Sequence, residues 1–129
     1  MDRFIKLWIF ADKLQASAFK DALVDALIEH RRTTGFSPRK TYQDVYAGSA
    51  GASGMRRLHV DFAMHDWKKS DLLALKQDVS WNEFFFDLVI KTIECKSAED
   101  PPSKPYLADS TCAYHDHGEQ GPCYRTMFA

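Results

Sequence analysis

The residues best suited to chemistry in this chain are two cysteines and two histidines near its end. Cys112, His115, His117 and Cys123 follow the spacing C-x2-H-x-H-x5-C. Thiolate sulfur and imidazole nitrogen together favour zinc, and four such donors complete a tetrahedral shell. Because no coordination position is left for water or substrate, the sequence predicts a structural Zn²⁺ ion bound by these four side chains.

The local sequence suits such a site. His115 and His117 are two residues apart, a spacing that places both rings on one side of an extended segment. Gly118 and Gly121 then allow the chain to turn back and bring Cys123 to the same place. The alternative is a solvated tail in which the cysteines and histidines occur together by chance.

A catalytic zinc site was also considered as an interpretation of this segment. The residues from His117 to Glu119, followed by Pro122 and Cys123, resemble the H-x-E and P-C-x-x-C signature of zinc deaminases. Thr126 stands where that signature has its second cysteine, and only two residues separate Glu119 from Pro122. Since no other catalytic motif is present, we expect the protein not to be an enzyme.

Composition is that of an ordinary globular domain. The chain has 129 residues, of which 45% are hydrophobic and 13% aromatic, and its net charge is -1. This charge gives no overall field that would steer the protein toward nucleic acid or anionic lipid. No apolar run reaches the length of about 20 residues that a membrane-spanning helix needs. We therefore expect an intracellular protein of the cytoplasm or nucleus that does not bind membranes.

The elements that must position the Cys/His group are predicted to be helical. Apolar residues recur at steps of three and four, and cap residues mark several ends. The fold expected is all-α, a bundle of about five helices over residues 1–96. A Pro/Ser-rich linker over 97–111 then leads to an irregular Cys/His tail over 112–129, which packs on the bundle. The predicted helices are 2–14, 17 to about 32, 37–47, 53–67 and 80–95.

Helical periodicity also indicates which side chains face inward. The second predicted helix would bury Phe19, Ala22, Leu23, Ala26 and Leu27, and the last would bury Phe84, Phe85, Leu88, Val89 and Thr92. On the fourth, Met55, Leu58, His59 and Phe62 form the apolar stripe, with Arg56 and Arg57 outside it. A capping box is predicted at Ser80–Glu83.

Three segments resemble the region that follows the BTB/POZ core in fungal BTB-domain proteins. They are Phe10–Gln15, Phe19–Ile28 and Met55–Asp61, and the Cys/His tail is similar to the ending of many of those proteins. The resemblance implies a helical, protein-binding extension that acts as an adaptor or scaffold. The strands and helices of the core, which lie upstream in the family, are absent here. We therefore expect a fragment or a short relative, and functions attached to the core are not carried over.

Two expectations about partners follow. The first helix is apolar nearly all round, so Ile5, Trp8 and Ile9 require cover, either from a second copy of the chain or from the rest of the bundle. The alternative to a protein-interaction module is a nucleic-acid-associated zinc module, although nucleic-acid binding is expected less than protein binding. Its basic residues would be Arg31, Arg32, Arg39, Lys40, Arg56 and Arg57.

Overall fold

A computed structural model of the chain describes residues 2–49, 51–75, 82–96, 104–118 and 121–127. These residues form helices and contain no strand, so the all-α prediction is confirmed for the part of the chain described. The α-helices are α1 (Asp2–Lys13), α2 (Ser17–Thr34), α3 (Thr41–Gly48), α4 (Gly54–Asp66), α5 (Lys69–Ala74), α6 (Asn82–Lys96) and α7 (Tyr124–Met127), with 3₁₀ turns at Pro105–Leu107 and Cys112–Tyr114. Six of these α-helices lie between residues 2 and 96, where about five were predicted, because the short α5 was not assigned.

Cap residues explain two of the helix boundaries. Gly35 follows α2 with a φ of 76°, and its N–H donates to the carbonyl of Arg31 at 2.9 Å. This left-handed cap is one that glycine adopts without a steric penalty. Ser53 precedes α4, and its hydroxyl accepts the N–H of Arg56 at 3.2 Å. The predicted capping box at Ser80–Glu83 lies largely outside the described residues.

The side of α1 that carries Ile5 and Trp8 is covered by its own chain, whereas Leu7 and Phe10 are 45% and 57% exposed. Ile5 and Trp8 are 1% and 0% exposed, and they belong to a core cluster that includes Leu27 of α2 and Phe62 of α4. Ile9 is partly buried against the same core. Of the two predicted sources of cover for these side chains, a second copy or the bundle, the bundle supplies it. Self-association through α1 stays a prediction without that support.

A second core cluster, which we call the aromatic cluster, consists of Tyr42, Trp67 and Phe84. The rings of Tyr42 and Phe84 are stacked with centroids 4.3 Å apart, and Trp67 lies 5.9 Å from Tyr42. Tyr42 and Phe84 are 0% and 1% exposed. Offset aromatic pairs of this kind stabilise the packing beyond the area they bury. The cluster joins α3, α6 and the end of α4.

Several predicted side-chain orientations are wrong. Val89 is 54% exposed and Thr92 is also exposed, because α6 packs on α3 and α4 mainly through Phe84. Phe19 of α2 is 44% exposed. Arg56 was predicted to point outward, yet only 4% of it is exposed. Its guanidinium donates to the carbonyls at the end of α3 and to Glu83, which compensates the buried charge.

The segment 104–107, the first described part of the chain after α6, lies against the bundle. Tyr106 is 0% exposed and belongs to the same core cluster as Trp8. Its hydroxyl donates to Asp66 at 2.5 Å, and the ammonium of Lys104 lies 2.7 Å from the same carboxylate. Residues 97–103 of the predicted linker lie outside the described residues. The division into 1–96, 97–111 and 112–129 stays a prediction.

Candidate metal centre

The structure brings the four predicted ligand residues together. One ligand atom from each of Cys112, His115, His117 and Cys123 can be chosen so that all four atoms lie within 4.8 Å of one another. Cys112 is exposed, His115 is buried, and the other two are half-buried. This is a Cys2His2-type group able to hold a metal ion.

His115 presents one ring nitrogen to the group and the other to the bundle. Its Nδ1 lies 3.6 Å from the Sγ of Cys123, and its Nε2 lies 2.9 Å from Oδ1 of Asp25 on α2. The side chain of His115 is completely inaccessible to solvent. Histidines that bind a metal through one ring nitrogen commonly donate the N–H of the other nitrogen to a carboxylate.

The hydrogen bonding of the two ring nitrogens of His117 shows that the group fits a metal. Its Nδ1 lies 2.6 Å from the carbonyl oxygen of Gly118, so Nδ1 carries the proton and donates it. The other nitrogen, Nε2, is buried and has no hydrogen-bond partner. Buried polar atoms are rarely left without a partner, and a metal ion would provide one for this lone pair. The neighbouring His117 ring lowers the pKa of the Cys112 thiol, which favours the thiolate that a metal requires.

Asp25 is the point where the tail meets α2. Its Oδ1 accepts from Thr111 at 2.5 Å as well as from His115, and its Oδ2 accepts from Tyr124 at 2.6 Å and from Arg125 at 2.9 Å. Burial alone would raise the pKa of Asp25, but the hydrogen bonds from His115, Thr111 and Tyr124 outweigh it and lower the pKa to about 2. We call these five residues the Asp25 junction.

Asp116, between the two histidines, is held from both sides. Its backbone N–H donates to Oδ1 of Asp21 at 2.7 Å, and its own carboxylate accepts the N–H of Gly54 at 2.8 Å. Gly54 opens α4, where free N–H groups and the helix dipole favour a carboxylate. Lys20 lies 3.2 Å from the same carboxylate. The loop that carries His115 and His117 is thereby fixed to α2 and α4.

Two glycines permit this close docking. A Cβ at Gly54 would lie 1.7 Å from the carbonyl oxygen of Tyr114, and one at Gly121 would lie 2.0 Å from that of His117. Both neighbours are backbone atoms, which cannot move aside as a flexible side chain would. Any other residue would therefore force the tail away from α4 or widen the turn that brings Cys123 back.

Sequence reasoning missed Asp21 and Asp25. The two carboxylates are four residues apart, so they lie on one face of α2, next to the buried Val24 and Ile28. The predicted face was centred instead on residues such as Phe19. The sequence does contain a signal, since two acidic residues stand one helical turn apart among apolar ones. Carboxylates buried on such a face require hydrogen-bond partners from elsewhere in the chain.

The basic residues of the nucleic-acid alternative are largely engaged within the chain. Arg31 lies 2.9 Å from Asp66, and Arg39 lies 3.1 Å from Asp71. Arg32 and Arg57 donate to backbone carbonyls of the segment 106–115. Interactions of this kind use the guanidinium groups inside the fold and leave less charge to offer a phosphate backbone.

Comparison of the chain with protein-family models, with curated proteins and with solved structures finds no match. The resemblance to fungal BTB-domain proteins receives no support from these comparisons and stays a prediction. None of the described helices combines the length and the apolar character that crossing a membrane requires. Fold and site together define an all-helical protein, over the residues described, with a Cys2His2-type group near its C-terminus.

Proposed function

We propose that the chain is a non-enzymatic protein-interaction module of the adaptor or scaffold type, whose tail is folded by a structural Zn²⁺ ion and packs on a helical bundle. The observation that carries the proposal is the convergence of Cys112, His115, His117 and Cys123, with ligand atoms within 4.8 Å of one another. The unpartnered Nε2 of His117 supports it.

The donor set favours a structural role. Two thiolates and two neutral imidazoles balance the charge of Zn²⁺, and four protein ligands complete its preferred tetrahedral shell. When bound, the ion would supply a cross-link between residues on either side of the turn at Gly118 and Gly121. The surroundings agree with this role, because Thr111, Tyr114 and Tyr124 pack the group against α2 and α4.

Exposed apolar side chains support a protein partner. On α6, Phe86, Val89 and Ile90 are 68%, 54% and 44% exposed. Phe86 and Ile90 line a groove of about 520 Å³ between α6, α4 and the tail, to which Tyr114 and Pro105 also contribute. Clustered apolar surface of this kind is typical of interaction sites. The engaged arginines make the nucleic-acid-associated module the weaker alternative.

Metal content tests the first half of the proposal. Protein prepared without chelators or metal-binding tags should carry about one zinc per chain, as the four-ligand site requires. Cys112→Ser and Cys123→Ser should each lose it, whereas Cys95→Ser is a matched control that should retain it. Absence of zinc from the unmodified protein, or equal loss in the Cys95 variant, would contradict the assignment.

Binding behaviour tests the second half. A partner captured from the native cell should be lost on Ile90→Glu, which places a charge in the groove, and kept on Lys68→Glu, a change at an exposed position outside the groove. Retention on heparin or on RNA that weakens steeply with added salt would instead support the nucleic-acid alternative.

A further inference from the structure

We propose that Asp25 positions His115 for metal binding and thereby couples metal affinity to the docking of the tail on α2. The inference rests on the proposed metal site. It states that Asp25, which is not itself a ligand, increases the affinity of that site for the metal.

The first step is the protonation of the His115 ring. A carboxylate only accepts hydrogen bonds, so the nitrogen 2.9 Å from Asp25, Nε2, must carry a proton. In the neutral ring Nδ1 then has the free lone pair, and Nδ1 is the atom that lies 3.6 Å from the Sγ of Cys123. Asp25 thus selects the one neutral tautomer of His115 that can bind a metal at the Cys/His group.

The second step is the way in which Asp25 itself is held. Thr111 directly precedes the first ligand, Cys112, and Tyr124 directly follows the last ligand, Cys123. Both donate to the Asp25 carboxylate, at 2.5 and 2.6 Å. One carboxylate on α2 therefore contacts both ends of the ligand segment and one of its histidines, so docking on α2 and metal binding favour the same arrangement of the ligands.

The third step is burial. The side chains of Asp25 and His115 are 8% and 0% exposed, so solvent screens their interaction little. An asparagine at position 25 would keep the size of the side chain but lose its charge. Its NH2 group could also face Nε2 and favour the tautomer with the proton on Nδ1, the nitrogen that must be free for a metal.

Zinc affinity of folded protein, measured by competition with a chromophoric chelator, tests the inference. Asp25→Asn should bind zinc about 10 to 100 times more weakly than the unmodified protein. Asp66→Asn is the matched control: its carboxylate is similarly buried and also holds the segment after α6, through Lys104 and Tyr106, but it does not contact the ligands. Its zinc affinity should be unchanged, even though its stability falls.

A second readout needs no variant. In zinc-loaded protein, ring ¹⁵N chemical shifts should show His115 bound to the metal through Nδ1 with its proton on Nε2, and binding through Nε2 would overturn the inference even if Asp25→Asn fails to fold. If the unmodified protein binds no zinc, the proposed function fails. If it binds zinc and Asp25→Asn binds it equally well, only the inference fails.

Discussion

The aromatic cluster and the Asp25 junction hold the same bundle together by different physical means. In the first, Tyr42, Trp67 and Phe84 bury large apolar rings in direct contact. In the second, the interior contains a carboxylate and an imidazole, and a group of four potential metal ligands lies beside them. Apolar contacts stabilise through area and packing alone, whereas buried polar groups stabilise only if every partner is in place.

Because of this difference, the two regions should respond differently to removal of the metal. Chelators should leave the aromatic cluster intact, because its contacts involve no ligand. The Asp25 junction carries Thr111 and Tyr124 next to two ligands, so its geometry should depend on the metal. The core and the tail should therefore respond separately to substitution and to metal removal.

The largest effect is expected from Phe84→Ala in the aromatic cluster. The ring is 1% exposed, and its removal should lower the free energy of unfolding by about 3 to 5 kcal/mol. Urea denaturation should show the same loss with and without chelator. Phe86→Ala on the same helix is the control, since Phe86 is 68% exposed and should cost less than about 1 kcal/mol. Equal losses in the two variants would show that α6 packs differently.

Acid should produce the next largest effect, through His59. Burial lowers the pKa of His59 to about 4, although its hydrogen bond to the Met55 carbonyl opposes the shift. In the unfolded chain the same ring has a pKa of about 6.5. Between these values only the unfolded state takes up the proton, so the stability present above pH 6.5 falls by roughly 3 kcal/mol as the pH decreases to about 4.

The measurement is the free energy of unfolding of metal-free protein between neutral pH and pH 4. Chelator removes any contribution from metal release, and His59→Gln serves as the comparison. The unmodified protein should lose more stability than His59→Gln over this range. Parallel curves for the two proteins would mean that His59 is not buried in its neutral form.

The smallest effects are expected from the removal of single tyrosine hydroxyl groups. Tyr124→Phe removes one hydrogen bond to Asp25, and Tyr46→Phe removes one to Asp87, at 2.6 and 2.7 Å. Each should cost about 1 kcal/mol of stability. Only Tyr124→Phe should also weaken zinc binding, because only that hydroxyl belongs to the Asp25 junction. Weaker zinc binding in Tyr46→Phe would contradict the separation of the two regions.

Local features were accessible from the sequence, and features set by distant contacts were not. Ser53 and Gly35 cap helices, and residues of these types can be read from the sequence because a cap depends on the few residues beside it. Even so, α3 begins at Thr41 and not at residue 37 as predicted. The grouping of the Cys/His residues is also local, since they are close in the chain. Helical periodicity identified the buried sides of α2 and α6 only in part, through Leu27 and Phe84, because it cannot tell which neighbour each helix meets. Asp25 was missed for this reason, as its partners lie about 90 residues away.

The central claim is that a metal on Cys112, His115, His117 and Cys123 holds the tail in the conformation that packs on the bundle, and that the bundle is stable without the metal. Amide hydrogen exchange of the zinc-loaded protein, before and after chelation, tests it most directly. The account predicts that chelation removes protection from backbone amides over the described parts of 111–127 and leaves α4 protected. Unchanged protection of the tail after chelation, or loss of protection throughout the bundle, would contradict it.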